Sequence, residues 1–226
     1  NLYSIPRMII ISIFTKFLHY LPGELSHFIA LQSLKLLYTS GLIKLFNIST
    51  KKYNFTDRDI RNRTNMVGIA AGLDKNGEYI DCLASLGLGF IEVGTVTPKP
   101  QQGNPKPRIF RNTEEKSLLN RLGFNNKGVD YLVEKLKNRK SEIIVGSSIG
   151  KNFDTPNEIA HEDYIHCLEK VYEFSDYIAV NISSPNTKDL RELSSRDFFD
   201  FLLKKLKESH KELSKRFGYI PIFIKI

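Results

Sequence analysis

Apolar and polar positions change their rhythm near residue 50. Before it, apolar side chains fall in helical groups broken by single basic residues. That pattern predicts two amphipathic helices over about 4–20 and 24–46, with Pro22-Gly23 as the break between them. After it, short and almost continuously apolar runs alternate with longer stretches of helical period. The runs Met66–Ala71, Phe90–Val93, Ile143–Ile149, Tyr177–Ile182 and Ile222–Ile226 predict strands. Stretches over about 76–86, 126–139, 156–174 and 195–217 predict helices. In the last, Phe198, Phe199, Leu202, Leu203, Leu206 and Leu213 recur at helical spacing with Lys and Glu between them. Asp154-Thr155-Pro156 places a capping residue ahead of a proline, a helix start.

Strands apolar on both faces, alternating with helices, imply a parallel sheet covered by helices. A closed barrel and an open doubly wound sheet both satisfy this. No GxGxxG follows the first strand, which weakens a dinucleotide-binding reading. Polar, Gly-rich clusters instead follow strand after strand, as in the loops at the mouth of a barrel. The chain therefore divides into a helical segment, 1–50, and an α/β unit, 51–226. Five candidate strands are about three βα units short of the eight in a (β/α)8 TIM barrel, which takes about 250 residues. The sequence begins with Asn and stops inside Phe-Ile-Lys-Ile. The expectation is an α/β fold made of the N-terminal five strands of such a barrel, truncated, behind a small helical domain.

Charge sharpens the reading of the first segment. The 226 residues carry a net charge of +8, of which +6 falls in residues 1–65, where nine basic residues face Glu24, Asp57 and Asp59. In the same region 26 of the first 46 residues are apolar. Basic punctuation on apolar helices suits an anionic membrane surface better than nucleic acid. The stretch Met8–Thr15, between Arg7 and Lys16, is far shorter than the ~18 residues of a spanning helix. Composition leaves two readings open: helices lying on a membrane surface, with peripheral association, or two ordinary helices packed on their own domain. The two cysteines, Cys82 and Cys167, form no CxxC, which excludes a disulfide scaffold or a thiolate zinc cluster and suits a reducing compartment.

Five loops and one strand carry candidate chemistry. Gly68–Gly77 joins small residues at a strand end to Lys75, so a flat or phosphorylated ligand could approach the backbone beside a cation. Gly94–Arg111 is a long proline-rich loop, with Thr95 at the strand end. Asn120–Asn126 offers amides that read a small polar ligand, or cap the next helix. Gly146–Asn152 is the fourth. Asn181–Thr187 packs two amides and three hydroxyls directly after an apolar strand. Finally, Lys225 sits inside an apolar strand, where its charge needs a partner, either a bound anion or an electron-rich ring, unless the side chain reaches out from a strand end.

These motifs, AAGLDKNG, GTVTP-P-GN-KPR-FR, NRLGFNN, IGKN-DT and NISSPNT, resemble the dihydroorotate dehydrogenase family in order and approximate spacing, from about Leu21 to Ile226. More narrowly they resemble its class 2, the membrane-associated, quinone-dependent enzymes. The resemblance implies an FMN-containing (β/α)8 barrel that oxidises dihydroorotate to orotate in pyrimidine biosynthesis. It implies Ser184 as the catalytic base, where class 1 enzymes have cysteine. It implies Ala71, Gly72, Lys75, Thr95, Ser148, Asn181 and Lys225 around the flavin, with Ser148 standing where many members have asparagine. Lys75, Asn120, Arg121, Leu122, Gly123, Phe124, Asn181 and Asn186 are the implied substrate contacts. His27 and Arg111 are implied at the quinone end, between the two N-terminal helices.

No metal or nucleic acid is implied. The implied location is the surface of a bacterial cytoplasmic membrane or a mitochondrial inner membrane. The flavin-phosphate site would lie beyond Ile226, so the chain alone is expected to be inactive. Two other readings stay open. One is another FMN barrel, such as a tRNA dihydrouridine synthase, which basic charge would suit. The other is a non-catalytic membrane-binding fragment.

Overall fold

The computed structural model describes residues 4–46, 67–187, 190–194 and 196–226. Helices α1 (Ser4–His19) and α2 (Gly23–Thr39) turn on each other at Pro22, as the pattern predicts. The second helix stops seven residues earlier than the predicted 46. Ser40-Gly41 breaks it, and Leu42–Phe46 continues as a 3-10 turn.

The remainder is an α/β unit. Strands β1 (Gly68–Ile69), β2 (Phe90–Val96), β5 (Ile144–Ile149), β6 (Tyr177–Asn181) and β7 (Ile222–Lys225) form one sheet in the order β1-β2-β5-β6-β7. Every pairing is parallel. Helices α3 (Ile80–Ala84), α4 (Val129–Lys137), α5 (Ala160–Val171) and α6 (Arg196–Phe217) connect the strands. Parallel neighbours need such crossovers, and the helices bury the sheet's outer face. Ile91, Val93, Val145, Ile149, Ile178 and Val180 are fully buried, packed with Leu132 of α4, Tyr164 and Leu168 of α5, and Leu202 and Leu206 of α6.

Three sequence expectations need correction. The apolar run 66–71 yields only a two-residue strand, and Met66 lies outside the described residues. The helical stretch 76–86 yields a helix only from Ile80, because the Asp74 carboxylate takes the N–H groups of Glu78 and Tyr79 and holds the approach as a turn. The proline-rich loop is not loop throughout. Its last residues form β3 (Ile109–Asn112), which pairs antiparallel with β4 (Ser117–Asn120), a hairpin that the sequence reading missed. The hairpin stands apart from the main sheet and meets α2, with Ile109 against Gly23.

Candidate functional site

The C-terminal ends of β1, β2, β5 and β6 meet on one side of the sheet, and four of the five loops singled out in the sequence start there; the fifth, Asn120–Asn126, follows β4 of the hairpin. The β2 end is irregular between Val93 and Val96. Gly94 sits at φ +102°, where a Cβ would strike the Ser148 carbonyl of the next strand, so only glycine fits. Its carbonyl accepts the Gly72 N–H at 2.9 Å, and its own N–H donates to the Asp74 carbonyl at 3.3 Å. The first two loops are thereby laced together.

Thr95, Ser148 and Asn181 then meet in one network. Thr95 Oγ1 lies 2.9 Å from Ser148 Oγ and accepts Asn181 Nδ2 at 3.1 Å. All three residues are buried. Asn181 is fixed from behind, where Tyr164 Oη donates to its carbonyl at 2.9 Å. Beside the network, Gly72 lies at φ +111°, and a Cβ there would meet nothing within 4 Å. Buried hydroxyls and an amide next to open backbone suit a flat polar ligand laid across the strand ends. Ala71 is half-buried at the same end.

Lys75 Nζ donates to the Gly72 carbonyl at 3.1 Å. Burial pushes its pKa down, and the Arg108 guanidinium pushes it further, while Glu24 partly restores it. The preceding Asp74 is almost fully buried, and burial raises its carboxyl to about 6 despite the N–H groups it accepts.

The Ser184 loop closes over this end. Ser184 Oγ accepts the Asn186 N–H at 3.3 Å, and Asn186 Nδ2 reaches Asn120 Oδ1 at 3.3 Å. The β6 and β4 loops therefore face each other. Leu122 and Gly123 turn their carbonyls inward to the Asn104 N–H and the Gln101 amide, and Phe124 is buried against Gly150. The Arg121 side chain departs from its expected place. Its guanidinium donates to the Pro107 carbonyl and stacks 5.6 Å from the Phe110 ring centroid, so only its backbone belongs to the loop's inner surface.

Lys225 also departs from expectation. Its charge has a partner, Glu92 Oε1 at 3.2 Å on the inner face of the sheet, and its side chain is 42% exposed. The ion pair answers the apolar-strand argument without any ligand. Glu92, Lys225, Tyr177 and Phe223 line a cavity of about 340 Å³ on that face. At the helical end, Arg111 Nη1 donates to the His19 and Leu21 carbonyls and so clasps the α1–α2 turn. His27 is held below its ordinary pKa by burial and by the Lys75 charge, with Glu24 opposing.

Asn104 and Arg108 lie within a quoted motif, but nothing in the sequence signalled that they bridge loops. Thr187 Oγ1, one of the three hydroxyls of the Asn181–Thr187 loop, is buried with no hydrogen-bond partner among the described residues. Glu24, the partner of Arg108, carried one signal: it is the only acid in the first 56 residues. Asn126 and Asn152, by contrast, spend their amides on backbone and loop partners and act as locks.

Comparison with known proteins places this geometry. The family model for dihydroorotate dehydrogenase matches residues 58–226. A dihydroorotate dehydrogenase (quinone) of Methylobacillus flagellatus is 50% identical over 95% of this chain and 64% of its own length. One from Acinetobacter baylyi is 49% identical over 100% of this chain and 64% of its own. Among solved structures, a ligand-free DHODH from Eimeria tenella superposes with a TM-score of 0.73 at 34% identity, covering 88% of this chain and 60% of that one. The chain thus spans about 64% of the length of these curated relatives. A match over three quarters of its residues and half-identity to such relatives lead to one conclusion: the chain belongs to the dihydroorotate dehydrogenase family.

Proposed function

We propose that this protein oxidises dihydroorotate to orotate in pyrimidine biosynthesis, with FMN as the hydride acceptor and a membrane quinone as the final electron acceptor. The observation that carries the reading is the convergence of the Ser184–Asn186 loop and the Asn120–Phe124 loop above the Thr95–Ser148–Asn181 network. The curated relatives named above bear the name of this activity, which supports it.

FMN fits the residues present: Ala71, Gly72, Thr95, Ser148 and Asn181 would hold the ring, with Lys75 and Lys225 as neighbouring cations. When bound, it supplies the hydride acceptor and the redox chemistry. The protein's own part is positioning and proton handling. Ser184 takes the proton from C5 of dihydroorotate. The Asn186 N–H at its Oγ favours charge on that oxygen, which helps a weak base act. Asn120, Asn181 and Asn186 orient the ring through paired donors and acceptors. Lys75 steadies charge that develops on the substrate. Ser148 stands where many members have asparagine, and its shorter hydroxyl, bonded to Thr95, would weaken or reroute one flavin hydrogen bond.

The finer architecture belongs to the same reading: a (β/α)8 barrel whose helical segment, 1–50, docks on the membrane. Helix α1 exposes Ile9, Ile11, Ile13, Phe14 and Phe17, and no helix among the described residues is long and apolar enough to cross a membrane. Peripheral docking follows, with quinone entering between α1 and α2 near His27 and Arg111. The test is the protein at its natural length, reconstituted with FMN: dihydroorotate should bleach the yellow flavin and a quinone restore it. A preparation that takes up no FMN, or whose flavin dihydroorotate leaves oxidised, overturns the reading.

A further inference from the structure

The first helical pair and the Ser184 loop are linked by an unbroken series of hydrogen bonds. Glu24, in the first turn of α2, accepts Arg108 Nε at 3.0 Å and Arg108 Nη2 at 2.8 Å on the same oxygen. Arg108 is buried, its side chain 7% exposed, and its third nitrogen, Nη1, donates to the Gln102 carbonyl at 2.6 Å and the Asn104 carbonyl at 3.0 Å. Asn104 passes the constraint on in two directions. Its N–H donates to the Leu122 carbonyl at 3.1 Å, and its Nδ2 donates to the Arg121 carbonyl at 2.9 Å and the Asn186 carbonyl at 3.1 Å. Asn186 in turn donates its N–H to Ser184 Oγ. The Arg108 carbonyl accepts the Arg121 N–H at 2.9 Å, so the same residue also fixes the other loop.

We propose that Arg108, held by Glu24 of α2, is a positioning residue for the reaction: through Asn104 it sets the Ser184–Asn186 loop and the Asn120–Phe124 loop at their working separation. The proposal rests on the functional reading above for what that separation is used for. A guanidinium is suited to the task because it offers five donors in a rigid fork, whereas an ammonium offers a charge alone. Glu24 is suited too. Burial raises its carboxyl, but the hydrogen bond and charge of Arg108, then Lys106 and Lys75, hold it below the ordinary range. It stays ionised and keeps its grip. Because Glu24 lies on α2, any shift of that helix moves the fork, and the fork moves both loops.

The experiment compares Glu24→Gln, Arg108→Lys and the double variant in the FMN-loaded protein. Glu24→Gln removes the charge of the pair, and Arg108→Lys keeps the charge but loses the fork. Both should retain FMN and slow flavin reduction by dihydroorotate about tenfold or more, the scale of a small misplacement of reacting groups. The double variant should be no slower than the worse single variant, since both break one link. Hydrogen exchange gives a second readout that needs no turnover. The amides of Asn104, Arg121 and Asn186 should exchange faster, while those of β5 and β6 stay unchanged. A general loss of stability would instead raise exchange throughout.

An unchanged reduction rate, a loss confined to reoxidation by quinone, or unchanged exchange at Asn186 overturns the proposal. Should Arg108→Lys fail to fold, Glu24→Gln decides alone. If the unaltered protein is not reduced by dihydroorotate but the exchange pattern appears, the functional reading falls and the structural link stands.

Discussion

Asn181 Nδ2 donates to Thr95 Oγ1 at 3.1 Å, joining residues 86 positions apart on strands that are not neighbours. Ser148, on the strand between them, meets the same threonine oxygen. One hydroxyl therefore ties three strand ends together, and it does so where the candidate site begins.

Replacing Thr95 by valine should leave two buried polar groups without their shared partner. The expected cost is about 1–3 kcal/mol in urea unfolding, because an unsatisfied buried group loses its solvation outright. Thr95→Ser, which keeps the oxygen, should cost well under that. Equal midpoints for the two variants would show that the hydroxyl is not the tie.

Ser184→Ala should leave FMN bound and the fold intact, since Ser184 is half-buried and, among the described residues, its hydroxyl meets only the Asn186 N–H. Flavin reduction by dihydroorotate should slow by roughly 100-fold or more, the usual contribution of a positioned base. Stopped-flow absorbance reads this directly. A rate within a factor of about two of the unaltered protein would reject Ser184 as the base.

Gly94 and Gly72 both sit at positive φ, but their surroundings differ. Alanine at either position strains the backbone by about 1–3 kcal/mol. Only at Gly94 does the new methyl also run into the Ser148 carbonyl, where two backbones must part. Gly94→Ala should therefore destabilise the chain clearly more than Gly72→Ala. At Gly72 the methyl should instead weaken FMN binding, by filling the open space beside the strand end. Titration of the apoprotein with FMN separates the two outcomes.

Asp74 makes stability depend on pH in an unusual direction. Its folded carboxyl titrates near 6, above the 3.8 of an unburied aspartate. Between those values the folded state holds more protons than the unfolded one, so this group's contribution falls as pH rises from about 4 to about 6. The change is at most about 3 kcal/mol. Asp74→Asn should flatten that part of the profile, while leaving one N–H of the turn at Glu78 or Tyr79 without its acceptor. Urea midpoints of both proteins across this range check it, and parallel profiles would refute it.

The exposed face of α1 predicts binding to anionic vesicles. Phe17 is 55% exposed and Ile13 63%. Each should contribute about 1.5–3 kcal/mol when fully buried in the interface. Ile13→Glu and Phe17→Glu should each lower vesicle affinity about tenfold or more in a sedimentation assay. Flavin reduction by dihydroorotate should be unaffected. Retained vesicle binding would remove α1 from the docking surface.

The sheet was legible because its strands read as apolar runs, and its inner strands β5 and β6 are buried on both sides. Val145, Ile149, Ile178 and Val180 announce themselves without any neighbour. The β3–β4 hairpin was not legible. Its strands are four residues each, they follow a run of prolines, and β4 is exposed along its whole length, so no alternation marks it. The loop residues of the site were visible as motifs, but their partners were not. Glu92 answers Lys225 from 133 positions away, and Asn104 meets Asn186 from 82. Such pairings are set by the stacking of βα units and leave no local trace. Short-range pattern therefore marked the candidate loops but not the fork at Arg108 that spans them.

The strand order has a consequence for biosynthesis. Apart from the separate hairpin, β1, β2, β5, β6 and β7 are added to the sheet in the order in which they are translated. Each strand leaving the ribosome meets an edge already made by the strand before it, with the intervening helix available to cover the seam. Parallel pairing is slow when distant segments must find each other. Here every partner is the most recently synthesised one, and the sheet can lengthen from one side without rearrangement. The Thr95–Ser148–Asn181 tie is then a late event. It can close only when the third of its strands has emerged, and it marks the point in synthesis at which the mouth of the site first exists.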